Sequence, residues 1–208
     1  MTVRAIVGSG GKTTLLKAMA AEYRTMGKSV LVTTTTHMFI EEDTLITDDP
    51  GEIIRMLEET GYAMAGIQEG VKIKSLSPET YAAACAHADV VLVEADGSKH
   101  MPLKFPNEGE PVIPENCGEI VVVCGLNAIG QRAKDVCHRL ELVKKCLGIG
   151  DDTLITPDHI RVLVTRGYLN PLRRKYPHMK ITLAPRHDGS EEQRKIAETL
   201  LKESGDQI

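Results

Sequence analysis

The chain has no tryptophan, and its five tyrosines and two phenylalanines make up only 3% of 208 residues. A platform that stacks the bases of a single strand needs more aromatic surface than that. Positive charge is not in excess either: 25 Lys and Arg stand against 29 Asp and Glu, a net charge of −4. Duplex nucleic acid and anionic membranes both demand a basic footprint, so neither is an expected partner. Apolar runs such as residues 90–93 and 120–124 are strand-length, far short of the about 20 residues of a membrane-spanning helix. A short strand and a Gly-rich loop begin at residue 3 and leave no room for a leader peptide, so a cytoplasmic protein is expected. The five cysteines, Cys85, Cys117, Cys124, Cys137 and Cys146, are odd in number and never spaced C-x-x-C. That argues against a disulfide framework or a zinc knuckle and for reduced thiols, several of them buried.

What remains is an ordinary globular composition, 42% apolar and 26% charged, which excludes disorder of the whole chain. At about 150 residues per domain the length predicts a single domain over 1–208. Strand patterns at residues 3–7, 29–32, 62–67, 71–73, 90–93, 120–124 and 180–184 alternate with helical patterns at 12–26, 50–59, 77–87, 139–147, 157–176 and 190–203. Nearly continuous apolar strands between helices predict an α/β fold of three layers with a mostly parallel sheet. Residues 40–75 read as a small insertion with its own hairpin, and residues 97–118, with Pro102, Pro106, Pro111 and Pro114, as a long functional loop.

The strongest motif is Gly8-Ser9-Gly10-Gly11-Lys12-Thr13-Thr14, set between a strand and a helix. Glycines let backbone N–H groups converge on phosphate oxygens, and the helix N-terminus adds partial positive charge. In such a loop Lys12 reaches the β- and γ-phosphates, Thr13 holds Mg²⁺ and Thr14 sits near the α-phosphate. Ile6 stands where the usual G-x-x-x-x-G-K-[ST] pattern has glycine, so this is a compact G-x-x-G-K-T form that resembles the loop of Mur-type peptide ligases.

A second motif is the apolar run Val91-Leu92-Val93 ending in Glu94-Ala95-Asp96-Gly97. Ligands collect at the carboxyl ends of parallel strands. One carboxylate there can hold Mg²⁺ while the other orients a nucleophile, with Asp96 expected nearer the metal and Glu94 nearer the nucleophile. The second strand runs into Thr33-Thr34-Thr35-Thr36-His37. The hydroxyls of Thr35 and Thr36 and the ring of His37 are candidates for substrate or metal, although β-branched threonine also favours strands for its own sake.

These segments, with Ser98-Lys99, Pro102-Leu103-Lys104, Glu110-Pro111-Val112-Ile113-Pro114, the run Val123 to Gly130 and His138-Arg139, resemble the YqeC family, accessory proteins of selenium-dependent molybdenum hydroxylases. The resemblance spans nearly the whole chain. It implies a P-loop NTPase fold and a role in maturing a selenium-containing molybdenum site, whereas Mg²⁺ and ATP or GTP as cofactors are called for by the phosphate loop and the strand-end acids. It also implies a hydroxylase or its maturation proteins as partners. Family members often carry L-N-K-x-D after the last strand, a pattern that suggests guanine recognition. Here Leu183-Ala184-Pro185-Arg186-His187-Asp188 keeps the acid but replaces Asn with Pro, so Asp188 is the one base-binding candidate and ATP is preferred.

In the long loop Ser98, Lys99 and Lys104 are candidates for a second anion, as are Arg132 and Arg139 beyond it. Cys124 ends a strand near the expected site but has no neighbour that would lower its pKa. Three activities stay open: Lys12, Glu94 and Asp96 as the catalytic set of an NTPase or phosphotransferase; a nucleotide-dependent switch or chaperone for the apo-hydroxylase; and a Mur-like or kinase-like enzyme that activates a small acid. A homodimer is neither required nor excluded by the residues.

Overall fold

The computed structural model describes residues 1–205. Contacts group the chain into two units: residues 1–6, 13–97 and 111–119 form the first, and 7–12, 98–110 and 120 onward the second.

In the first unit the strands and helices follow the apolar periodicity. β1 (Thr2–Gly8) leads through the Gly-rich loop to α1 (Lys12–Thr25), and β2 (Val30–Thr34) follows. β3 (His37–Phe39) and β4 (Thr44–Ile46) come next, then α2 (Pro50–Thr60). Asp49 caps α2 by accepting from the Gly51 N–H, Pro50 opens it, and Gly61 closes it at φ 70°. β5 (Tyr62–Glu69), β6 (Lys72–Lys74), α3 (Pro78–His87) and β7 (Val90–Glu94) complete the set. β7 lies between β1 and β2, parallel to both, and β2 pairs in parallel with β5. Residues 62–64 therefore belong to the parallel sheet, and only the far end of β5 turns back as a hairpin with β6, on which β3 adds antiparallel. The strands β2 and β7 are buried along their whole length, their apolar runs at residues 30–32 and 90–93 ending in the buried polar residues Thr33, Thr34 and Glu94.

In the second unit β8 (Leu103–Lys104) precedes β9 (Glu119–Gly125), whose every residue is buried. Then come α4 (Ala133–Val136), β10 (Cys137–His138), α5 (Leu140–Leu147) and α6 (Pro157–Val164). The helix predicted over 157–176 is not uniform. It widens to a π-helical turn over Thr165–Leu169 before α7 (Asn170–Lys175). Pro171 lacks an N–H and would crowd the carbonyl four residues back, and a wider turn relieves that conflict. β11 (Lys180–Arg186) lies beside β9, and α8 (Glu191–Ser204) is capped by Ser190, which accepts from the Gln193 N–H. β8 and β10 form a separate two-residue parallel ladder that sets Lys104 opposite His138.

Among the described residues no helix is long and apolar enough to cross a membrane. All five cysteines are free, and all but Cys146 are buried.

Candidate functional site

The Gly-rich loop owes its shape to glycine at two points. Gly8 has φ 94°, and a Cβ there would stand 2.1 Å from the Val123 carbonyl oxygen. Gly10 has φ 80°, and its Cβ would stand 2.5 Å from the Gly125 Cα. No other residue fits so close to the end of β9 at a left-handed φ. The Ser9 N–H donates to the Val123 carbonyl at 3.0 Å, and the Ser9 hydroxyl donates to the Pro102 carbonyl at 3.0 Å. Lys12 is buried, 4% exposed, and folds its ammonium back on the loop, donating to the Gly8 carbonyl at 2.8 Å. It also lies 3.4 Å from the Ser98 hydroxyl.

Arg186 was not a candidate in the sequence beyond its place in the altered Asn-Lys-x-Asp segment. Its side chain packs on the loop, its Cγ 3.3 Å from where a Cβ on Gly11 would be. The last residue of β11 thus brings a guanidinium to Gly11. Asp188, the base-binding candidate, is exposed and locally engaged: its carboxylate accepts from the Ser190 N–H at 2.8 Å. That bond holds its carboxyl below the usual range and makes it part of the turn before α8.

In the first unit the register aligns three strand ends. Glu94 at the end of β7 pairs with Ile6 of β1 on one side and Thr34 of β2 on the other. Thr13, the first residue after Lys12, donates its hydroxyl to the Glu94 carboxylate at 3.3 Å. The hydroxyl expected to hold the metal thus meets the carboxylate expected nearer the nucleophile. Asp96 is wholly buried, and Glu94 is 6% exposed. A threonine hydroxyl and carboxylates are the hard oxygen donors that Mg²⁺ takes, so the residues present fit that ion.

The threonine tract divides by partner. Thr33 donates to the Ala65 carbonyl at 2.9 Å, Thr34 to the Glu94 carbonyl at 2.8 Å, and Thr35 to the Val112 carbonyl at 2.6 Å. These three hydroxyls tie β2 and the bend after it to neighbouring backbone. The Thr36 N–H donates to the Thr34 hydroxyl at 3.0 Å, and the Thr36 hydroxyl is buried without a protein partner. His37 begins β3, exposed, with its Nε2 2.6 Å from the Glu69 carboxylate, so its ring is engaged in the antiparallel extension.

The second unit holds a further group of charges. Arg139 grips Glu110 with both terminal nitrogens at 2.6 Å, and the Lys104 ammonium lies 2.9 Å from the same carboxylate. The Lys104 side chain is 0% exposed and that of Glu110 18%. Burial alone would raise the Glu110 carboxyl, but hydrogen bonds from Arg139 and Lys104 bring it down to about 2. Arg139 adopts φ 59°, a left-handed conformation that costs a non-glycine residue about 1 kcal/mol. His138 is held below its ordinary value, first by burial and then by Arg139, Lys104 and Lys99. Lys99, an exposed residue, and its neighbour His100 also have left-handed backbone, at φ 49° and 60°. Arg132 lies apart from this group, exposed and 3.4 Å from Asp152. Burial pushes the Cys124 thiol up to about 12, which leaves it inert.

Comparison with known proteins places these features. The family model described as YqeC protein matches residues 4–141. A curated relative, the uncharacterized protein YqeC of Escherichia coli K12, is 34% identical over 170 residues, covering 76% of this chain. The chain spans 62% of that relative's length. Among solved structures, a chain of the MinC:MinD cell division protein complex of Aquifex aeolicus matches with a TM-score of 0.52 and 11% identity. That match covers 100% of this chain and 79% of the other, and at such identity the likeness concerns the fold alone.

Proposed function

The chain belongs to the YqeC family and has a P-loop NTPase fold, and on that premise we propose that it binds ATP with Mg²⁺ and hydrolyses it or transfers its γ-phosphoryl group. In this reading the reaction supports selenium cofactor insertion into molybdenum hydroxylases in the cytoplasm. The observation that carries it is the Thr13–Glu94 hydrogen bond of 3.3 Å. It joins the residue after the loop lysine to a carboxylate at a strand end, the pairing that a Mg²⁺-nucleotide site uses.

The roles follow from position. The loop from Gly8 to Thr14 receives the phosphates on its backbone N–H groups. Lys12 leaves the Gly8 carbonyl to meet the β- and γ-phosphates. Thr13 and Glu94 would hold Mg²⁺, which would supply charge neutralisation. Asp96, with its carboxylate buried, orients the attacking oxygen. Pro185 in place of Asn and the local engagement of Asp188 favour adenine over guanine.

Calorimetric titration with ATP and GTP, with and without Mg²⁺, tests binding and base together. Lys12→Ala and Asp96→Ala are expected to abolish turnover, and the proposal is wrong if both leave it unchanged.

A second reading is favoured by one further observation. Ser98 meets the Lys12 ammonium, and the Ser9 hydroxyl meets the Pro102 carbonyl. A phosphate that draws Lys12 away loosens the segment after Asp96, as in a nucleotide-dependent switch that acts on a partner such as the apo-hydroxylase. Turnover that stays slow alone and rises only when that partner is added would select the switch.

A further inference from the structure

The segment 98–104 is anchored along the phosphate loop of the same unit at successive points. Ser98 touches Lys12, and the Pro102 carbonyl accepts from both the Ser9 hydroxyl and the Gly125 N–H. The segment then enters β8, whose Lys104 stands in register with His138 of β10. This carries Lys99, Lys104, His138 and Arg139 alongside the phosphate loop. Two features show that the group is built rather than incidental. Lys104 is wholly buried although charged, and Arg139 accepts a left-handed backbone to set both nitrogens on Glu110. Buried charge is costly unless paired, and here Glu110 fixes both cations in place.

The field at His138 is consistent with that arrangement. Burial, Arg139, Lys104 and Lys99 all disfavour a proton on its ring, and Glu110 opposes them. A half-buried neutral imidazole beside an exposed lysine offers an N–H donor to an anion, with fixed positive charge behind it.

We propose that Lys99 and His138, backed by Arg139 and the buried Lys104 that Glu110 fixes, form a second anion site, and that it holds the phosphoryl acceptor as a small carboxylate or phosphate. This deepens the proposed function and rests on it. An anionic acceptor needs no base. Its oxygen forms a bond to the γ-phosphorus while the bond from that phosphorus to the β–γ bridging oxygen breaks, and ADP leaves with the electron pair. The products are ADP and an acyl phosphate from a carboxylate, or a phosphoanhydride from a phosphate.

The test uses inorganic orthophosphate as the probe and the His138 ring and the Gly10 and Gly11 amides as separate reporters in the NMR spectrum. Titrated into protein saturated with Mg²⁺ and a non-hydrolysable ATP analogue, orthophosphate is expected to move the His138 signals. Lys99→Ala is expected to weaken that response about tenfold, the worth of one charge-assisted hydrogen bond. Phosphate that moves only the loop amides, or nothing, overturns the site, as does equal affinity in Lys99→Ala. Should the analogue fail to bind, the ATP reading fails on its own. The same titration without nucleotide then decides the anion site separately, because the loop and His138 report independently.

Discussion

Thr13 and Glu94 are 81 positions apart, and the hydroxyl of one donates to the carboxylate of the other at 3.3 Å. The pair sits where β7 ends in register with β1 and β2. Glu94→Gln keeps the size and a hydrogen-bond acceptor but removes the charge. Mg²⁺ is then expected to lose at least about tenfold of its enhancement of ATP affinity, with affinity in the absence of Mg²⁺ little changed. Calorimetry at two Mg²⁺ concentrations separates the two effects.

Glu110 makes the fold sensitive to acid. Its carboxyl titrates at about 2 when folded against an ordinary 4.5. A lowered pKa stabilises the folded state above the unfolded value, and that contribution is lost as pH falls from about 4.5 through 2. Urea unfolding of the native protein is expected to show stability declining across this window. Glu110→Gln is expected to flatten the decline and to lower stability at neutral pH by roughly 3 kcal/mol, since the buried Lys104 loses its carboxylate.

The close approaches at Gly10 and Gly167 separate binding from stability. Gly10→Ala puts a methyl 2.5 Å from the Gly125 Cα at φ 80°. It is expected to abolish nucleotide binding. Gly167→Ala meets the Pro106 Cδ at 2.9 Å and the Phe105 ring at 3.3 Å. It is expected to cost about 1–3 kcal/mol by overpacking, read as a lower denaturant midpoint.

Thr33→Val removes the hydroxyl that reaches the Ala65 carbonyl and nearly preserves the shape. A loss of about 1 kcal/mol is expected in chemical denaturation, with ATP affinity unaltered.

Alkylation distinguishes the thiols. Burial raises the pKa of all five thiols, but Cys146 is only partly covered and lies beside Arg166, which opposes the rise. Iodoacetamide under native conditions is expected to modify Cys146 first, as peptide mass mapping would show.

The parts legible in the sequence are those encoded locally. Gly8 to Thr14 and the run into Glu94 declare themselves through spacing and apolar pattern, and the helix starts at Pro50, Ser77 and Ser190 through residue type. What was not legible depends on partners distant in the chain. A threonine hydroxyl reads the same whether it faces a metal or a carbonyl, so the ties from Thr33, Thr34 and Thr35 could not be told from ligands. β8 and β10 are two residues each, too short to show a period, and they hide the approach of Lys104 to His138. Arg186 gave no signal that it would lie on Gly11. Glu94 and Asp96 read alike in the sequence as two acids at a strand end, and the hydrogen bond from Thr13 to Glu94 depends on a partner 81 positions away.

The chain leaves the sheet after Asp96 and comes back at Val112, whose N–H donates to the Ala95 carbonyl at 3.0 Å while its own carbonyl accepts from Thr35. Departure and return are stapled to nearly the same spot. In between, residues 98–104 are tied to the phosphate loop and β10, so only the stretch beyond Lys104 is free to vary in length at small cost. The excursion is a cassette: its exposed tip at Asn107 to Gly109 could be lengthened or exchanged without disturbing the frame.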